Sequence, residues 1–167
     1  MVRLENVLDS WKAVRADTAQ TVEDFPALEL DFRPLPELMS FREISRHILD
    51  AGLALTASLM DGVEDYSVPG IREQFGKYFA PLPADAEAGA LAAELRRAVE
   101  ESCGRLAAQP PEFWSRIITR MDRQKVTRLE MLQFVKEHEL THRSQMFLYL
   151  RMKGIVPPTT RRRQAQK

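Results

Sequence analysis

Residues 127–154 read TRLEMLQFVKEHELTHRSQMFLYLRMKG. Apolar side chains recur there every three or four positions, which predicts one long amphipathic helix. The segment opens with Thr127-Arg128-Leu129-Glu130, a capping box in which the hydroxyl and the carboxylate bond to unpaired backbone amides, and Gly154 suits its C-terminal end. The face expected to point inward carries Met131, Val135, His138, His142, Met146 and Tyr149.

Three other segments without proline show the same helical spacing. The first helix is expected over residues 4–25, the second begins at another capping box, Ser40-Phe41-Arg42-Glu43, and the third is expected over residues 85–108. Helices with one apolar stripe must bury those stripes against each other. The sequence therefore predicts an all-α protein, a four-helix bundle with long connections.

Two of the connections are longer than an up-and-down bundle needs. Residues 62–83 contain Tyr66, Phe75, Tyr78 and Phe79, and we expect a short helix or a cover over one end of the bundle. Residues 112–126 contain two short runs that favour extended structure around a turn, which predicts a small hairpin before the last helix.

Composition favours one domain. The 167 residues, 44% of them hydrophobic, suffice for one packed core, so we predict a single domain over residues 1–158 and a basic flexible tail over residues 159–167. Acidic and basic side chains number 24 each, which disfavours nucleic acid as a partner. We recognise neither a membrane-spanning apolar run nor a secretory signal, and so expect a cytoplasmic protein without a membrane partner.

The charge balance conceals an asymmetry along the chain. Residues 1–109 hold 11 basic and 19 acidic side chains, whereas residues 110–167 hold 13 and 5. Attraction between oppositely charged helices is the favoured interpretation, and a surface for an anionic ligand is the alternative.

All three histidines of the chain fall on faces expected to point inward. His138 and His142 project side by side from neighbouring turns, and His47 lies within the apolar stripe of the second helix. A buried imidazole without a hydrogen-bond partner costs about 1–3 kcal/mol. A divalent ion bound by His47, His138 and His142 would satisfy all three rings and keep one coordination position open, whereas separately satisfied core histidines are the alternative.

Residues 138–142 also match the His-Glu-x-x-His signature of zinc peptidases, in which the glutamate is a general base. Gln145 and Leu148 stand where the metzincin extension needs glycine and histidine, and no acidic residue follows Glu139. A peptidase is therefore disfavoured, and Glu139 is expected on the helix surface or behind the metal ligands.

The single cysteine, Cys103, excludes an intrachain disulfide and a cysteine-rich zinc site. Its place between Val99 and Leu106 on the third helix predicts a small core residue and not a nucleophile.

The pattern resembles the DinB/YfiT-like superfamily of metal-binding four-helix bundles. The resemblance rests on Phe41-Arg42-Glu43-Ile44-Ser45-Arg46-His47-Ile48-Leu49, on the capping box at residue 127, and on residues 137–145 and 149–158. Ser144 stands where the family often has glycine. The resemblance implies that His47, His138 and His142 bind a divalent metal ion, zinc or nickel, and that the protein forms a homodimer.

Membership of this group constrains the site more than the reaction. Members with assigned chemistry include S-transferases that use low-molecular-weight thiols such as bacillithiol or mycothiol, and a mycothiol-dependent maleylpyruvate isomerase. The leading hypothesis is therefore a metal-dependent enzyme of the thiol S-transferase type, with a low-molecular-weight thiol as co-substrate and a small electrophile. Alternatives are a non-catalytic, metal-stabilised interaction or stress protein and a metal-dependent hydrolase. Arg143 and Arg151, expected beside the metal face, are candidates for binding carboxylates of the thiol.

Overall fold

The computed structural model describes residues 2–166. Its elements are, in chain order, α1 (Leu4–Asp24), α2 (Phe41–Met60), α3 (Ile71–Gln74), α4 (Ala88–Ala107), α5 (Pro111–Ser115), β1 (Ile117–Thr119), β2 (Lys125–Thr127), α6 (Arg128–Met152) and α7 (Pro158–Ala165). Within this range the long helices α1, α2, α4 and α6 confirm the predicted all-α four-helix bundle. None of the helices formed by residues 2–166 has both the length and the hydropathy to cross a bilayer.

The packing order explains the long connections. Helix α1 packs against α4 and α6, and α2 packs against the same two helices. Consecutive helices α1 and α2 are therefore diagonal to each other, as are α4 and α6. Only neighbouring helices can be joined by a tight loop, so residues 25–40 and 108–127 must cross the bundle.

The connection between α2 and α4 is long for a different reason, because it joins neighbours and carries structure of its own. Helix α3 continues into a 3-10 turn over Phe75–Tyr78, which packs against α2. This confirms the short helix expected within residues 62–83. The predicted hairpin is also present, since β1 and β2 pair antiparallel, with Ile118 opposite Val126.

The apolar stripes predicted on the long helices are buried, and they form two clusters along the bundle. One cluster contains Trp11, Leu55 and Val135, and the other contains Val22, Ile48 and Met146. The turns between these positions carry buried polar side chains instead, which are Arg15, Thr18 and Glu139. A polar layer therefore divides the core at the height of the histidines on α6.

The end of the chain forms a helix. Within residues 159–167, for which the sequence predicts a basic flexible tail, the structure describes α7 as far as Ala165, and residue 167 lies outside the described residues. Arg162 bonds to Asp17 at 2.5 and 2.9 Å, and Arg161 bonds to Asp24 at 2.5 Å. Basic residues of the C-terminal part thus pair with acidic residues of α1, which agrees with the favoured interpretation of the charge asymmetry.

Candidate metal centre

The three histidines lie on two helices that pack directly against each other, α2 and α6. His47 lies on α2, and His138 and His142 lie one turn apart on α6. Both helices begin at the predicted capping boxes, in which the hydroxyl and the carboxylate each bond to a backbone amide. Each box fixes the residue at which its helix starts.

The ring nitrogens of the three side chains converge. His138 Nε2 lies 3.1 Å from His47 Nε2 and 3.2 Å from His142 Nε2. One ligand atom of each ring lies within 4.8 Å of those of the other two, and all three rings are half-buried. The structure therefore brings together the three residues that the sequence singled out.

Hydrogen bonding among neutral rings does not account for this cluster. Gln145 Oε1 lies 3.0 Å from His142 Nδ1, and because an amide oxygen only accepts, Nδ1 carries the proton and Nε2 a lone pair. His138 Nε2 carries either one proton or one lone pair, so it can form a well-directed bond to only one of its two neighbours.

The two nitrogen–nitrogen contacts of His138 match the spacing of ligands around a divalent ion. Zinc–imidazole distances of about 2.0–2.1 Å place tetrahedral ligand nitrogens about 3.3 Å apart, close to the contacts that His138 makes. Such an ion would use all three lone pairs, and three protein ligands would leave a position for a further molecule.

The surroundings of His138 and His47 lower the pKa values of these rings. Burial, with the neighbouring rings of His142 and His47, lowers the pKa of His138 to about 4. Burial also lowers the pKa of His47, and the charge of His142 adds to this effect. Both rings are therefore neutral at pH 7, which is the form that binds metal.

Glu139 is neither on the helix surface nor behind the metal ligands, which corrects the sequence expectation. Its side chain is 3% exposed and lies against α1. It accepts bonds from Trp11 Nε1 at 2.8 Å, from Arg15 Nε at 2.9 Å and from Thr18 Oγ1 at 2.8 Å. These donors occupy both carboxylate oxygens, so Glu139 cannot be the general base of a peptidase site.

The two arginines expected beside the metal face lie elsewhere. Arg143 turns towards α1, where it donates to Val14 O and Asp17 at 3.4 Å each, and Arg151 donates to Thr160 at 3.2 Å. Consecutive residues on a helix point about 100° apart. Arg143, the residue after His142, therefore points away from the metal ligands.

Cys103 is 2% exposed and belongs to the apolar core, as predicted. Burial raises the pKa of its thiol to about 11. The thiol is therefore protonated at neutral pH and is not activated as a nucleophile.

A largely apolar recess of about 420 Å³ adjoins the cluster. His47 and His138 form part of its wall. Other residues of α2 and α6, the 71–79 segment and Met121 in the turn between β1 and β2 supply the rest. The aromatic content of residues 62–83 indicated a cover at this end, but helical spacing could not show that Phe75 and Phe79 face the histidines. Phe134 and Arg72, also on the wall, were missed.

A second recess, of about 480 Å³, is more polar. The two recesses share His47, Asp50 and Phe79. Arg46 shapes the second one by donating to the carbonyl oxygens of Ala80 and Leu82 at 2.7 Å each.

A family model described as the DinB superfamily matches residues 10–146. The chain belongs to the DinB superfamily. No curated protein matches this DinB chain, so its relatives are known from solved structures.

Two similar structures come from Bacillus subtilis. A DinB-like protein is 21% identical with a TM-score of 0.67, and the match covers 89% of this chain and 92% of the DinB-like protein. YfiT, described as a probable metal-dependent hydrolase with an unusual four-helix bundle topology, is 15% identical with a TM-score of 0.72, and covers 93% and 91%.

A third similar structure is a mycothiol-dependent maleylpyruvate isomerase. It is 15% identical with a TM-score of 0.62, and the match covers 84% of this chain and 59% of the isomerase. These identities support the shared fold, and the reaction has to be inferred from the site.

Proposed function

We propose that His47, His138 and His142 bind zinc or nickel, and that the protein is a metal-dependent thiol S-transferase. Its reaction would join a low-molecular-weight thiol to a small electrophile. The observation that carries this proposal is the pair of recesses of different polarity that share His47, Asp50 and Phe79. A transfer between two substrates needs two volumes that meet at the reacting group, whereas hydrolysis needs one volume and a water molecule.

The bound ion would retain its full charge beside three neutral ligands, so it would lower the pKa of a coordinated thiol and supply a thiolate at neutral pH. The chain's own residues position the partners. The polar recess suits a peptide-like thiol, and the apolar recess holds the electrophile against the faces of His47 and His138. Apolar walls also exclude water that would compete with the thiol.

The chemistry is a nucleophilic substitution or addition. The thiolate sulfur forms a bond to an electrophilic carbon. In a substitution the leaving group departs with the electron pair of the bond that breaks, and in an addition the neighbouring atom takes that pair and then a proton. The sulfur comes from the co-substrate, since Cys103 is buried between helices and protonated at neutral pH.

YfiT is described as a probable metal-dependent hydrolase. A hydrolase needs a general base for water, and the two buried carboxylates near the histidines are both occupied by other partners. Asp50 accepts bonds from Arg46 Nε at 2.7 Å and from the backbone amide of Ala80 at 3.0 Å. Glu139 is bound to α1 as described above. Both are therefore engaged, and neither is placed to accept a proton from water at the three nitrogens.

The test measures conjugation of 1-chloro-2,4-dinitrobenzene and other electrophiles with bacillithiol, mycothiol and glutathione. Protein loaded with zinc or nickel should give thioether only when a thiol is added. His47→Ala should lose metal and turnover together, whereas Cys103→Ala should retain both. Turnover without thiol would favour the hydrolase, and metal binding without any turnover would favour a structural ion.

We also propose that the protein forms a homodimer, on the basis of the family resemblance. Sedimentation velocity at several protein concentrations tests this, and a monomer at all of them would contradict it.

A further inference from the structure

The walls of the apolar recess suit a flat, apolar molecule. Phe75, Phe79 and Phe134 contribute aromatic rings, and two alanines on α2, Ala51 and Ala54, leave room between them. Phe79 is 45% exposed, so part of its ring is open to the recess and to solvent. Aromatic rings favour offset or edge contacts with other rings.

The charged side chains that line the apolar recess determine which charge a bound molecule should carry. Asp50 and Arg72 are the ionisable side chains there besides the histidines. The carboxylate of Asp50 is neutralised by Arg46, 2.7 Å away. Arg72 forms no side-chain hydrogen bond or ion pair with any of residues 2–166, so the recess presents one uncompensated cation.

The size of the recess sets the scale of the occupant. Its volume of about 420 Å³ lies in the range of about 300–1,000 Å³ that is typical of sites for small organic molecules. A recess of this volume holds one compact organic molecule.

We infer that the apolar recess binds an aromatic carboxylic acid, with the ring packed against Phe75, Phe79 and Phe134 and the carboxylate facing Arg72. This assignment deepens the proposed function, because it names the class of electrophile. Arg72 then selects acidic electrophiles over neutral ones of the same shape.

The test is isothermal titration calorimetry of the full chain with two probes of matched shape, 2-naphthoate and 2-naphthamide. Both probes are titrated into metal-loaded protein and into protein with a chelator, so that coordination of the carboxylate is measured separately. We expect tighter binding of the carboxylate in both states. Arg72→Gln should reduce the preference about fivefold, as expected for one accessible ion pair.

Two control variants locate the effect. Arg105→Gln removes the same charge from an exposed site on α4 and should leave the preference unchanged. Ala51→Leu narrows the recess and should weaken both probes. If this variant fails to fold, Phe79→Ala serves the same purpose, since its side chain is partly exposed and its loss should also weaken both.

The assignment is overturned if neither probe binds, if the parent shows no preference, or if Arg72→Gln and Arg105→Gln behave alike. Binding that survives both Ala51→Leu and Phe79→Ala would place the probes elsewhere and would also overturn it. These outcomes are independent of thiol chemistry. Carboxylate selectivity without thiol-dependent turnover would refute the transferase function and support the assignment of the recess. Thiol-dependent turnover without carboxylate selectivity would support the transferase function and refute the assignment of the recess.

Discussion

Glu139→Gln tests the polar layer that joins α1 to α6. The carboxylate receives three side chains of α1, and the exposed fractions of the Arg15 and Glu139 side chains are 2% and 3%. Glutamine keeps the size of the side chain and removes its charge. Arg15 would then be a buried cation without an anion. The NH2 group of the new amide would also face hydrogen-bond donors, from which it cannot accept.

The expected loss follows from the geometry. The closest nitrogen–oxygen contacts of the pair are 2.9 Å, so its charge centres lie about 4 Å apart, and at an effective dielectric constant of about 20 their attraction is about 4 kcal/mol. Removing one partner of a buried ion pair costs about 3–5 kcal/mol. We therefore expect Glu139→Gln to lower the free energy of unfolding by about 4 kcal/mol.

Urea unfolding, followed by far-UV circular dichroism and tryptophan fluorescence, measures this loss. Glu137→Gln is the matched control, because Glu137 is exposed on the same helix and should change the free energy of unfolding by less than about 0.5 kcal/mol. Combining Glu139→Gln with Arg15→Met removes the unpaired cation, so the double variant should be more stable than Glu139→Gln alone. A loss below about 1 kcal/mol for Glu139→Gln, or no recovery in the double variant, would show that the ion pair between Arg15 and Glu139 does not stabilise the fold.

Three further predictions concern separate contacts. Gln145→Ala should lower metal affinity about 10–100-fold, measured by chelator competition, because the amide of Gln145 fixes the proton and orientation of His142. Gly52→Ala should destabilise the fold by about 1–3 kcal/mol in urea unfolding, since the added Cβ would lie 2.8 Å from Arg15 Nη2, which is held in the polar layer. Cys103 should react slowly with iodoacetamide at pH 8, because burial raises the pKa of its thiol to about 11 and leaves little thiolate.

Each of these has a control within the chain. Gln133→Ala removes an amide that bonds to an exposed glutamate on α6 and should leave metal affinity unchanged; equal losses in both glutamine variants would contradict the role of Gln145. Gly104→Ala lies in open space on α4 and should be neutral or stabilising, so equal effects of the two glycine variants would contradict the steric argument. Alkylation of Cys103 as fast in native as in urea-unfolded protein would contradict its burial.

Local sequence patterns predict the elements of this protein well, and the physical reason is that they depend on near neighbours. Both capping boxes and the apolar stripes act within a few residues along the chain. The spacing of His138 and His142 likewise fixes their common helix face. His47 could be joined to them because its stripe, too, had to face the bundle interior.

The partners of Glu139 could not be predicted in this way. A glutamate between two histidines suggests a surface position or a catalytic role. The burial of Glu139 depends instead on Trp11, Arg15 and Thr18, which lie more than 120 residues earlier in the chain. Arg143 was misplaced for the same reason, since its position relative to α1 depends on how the helices are rotated against each other.

Hydrophobic periodicity and capping are local properties, so the residues alone predict the four long helices, the starts of α2 and α6, and the helix faces that carry the three histidines. The diagonal placement of α1 and α2, the two recesses that share His47, and the lack of a side-chain partner for Arg72 among residues 2–166 depend instead on the tertiary fold. Those features arise from contacts between residues distant in the chain, whose energies depend on the packing of whole helices and leave no periodic signal in the sequence.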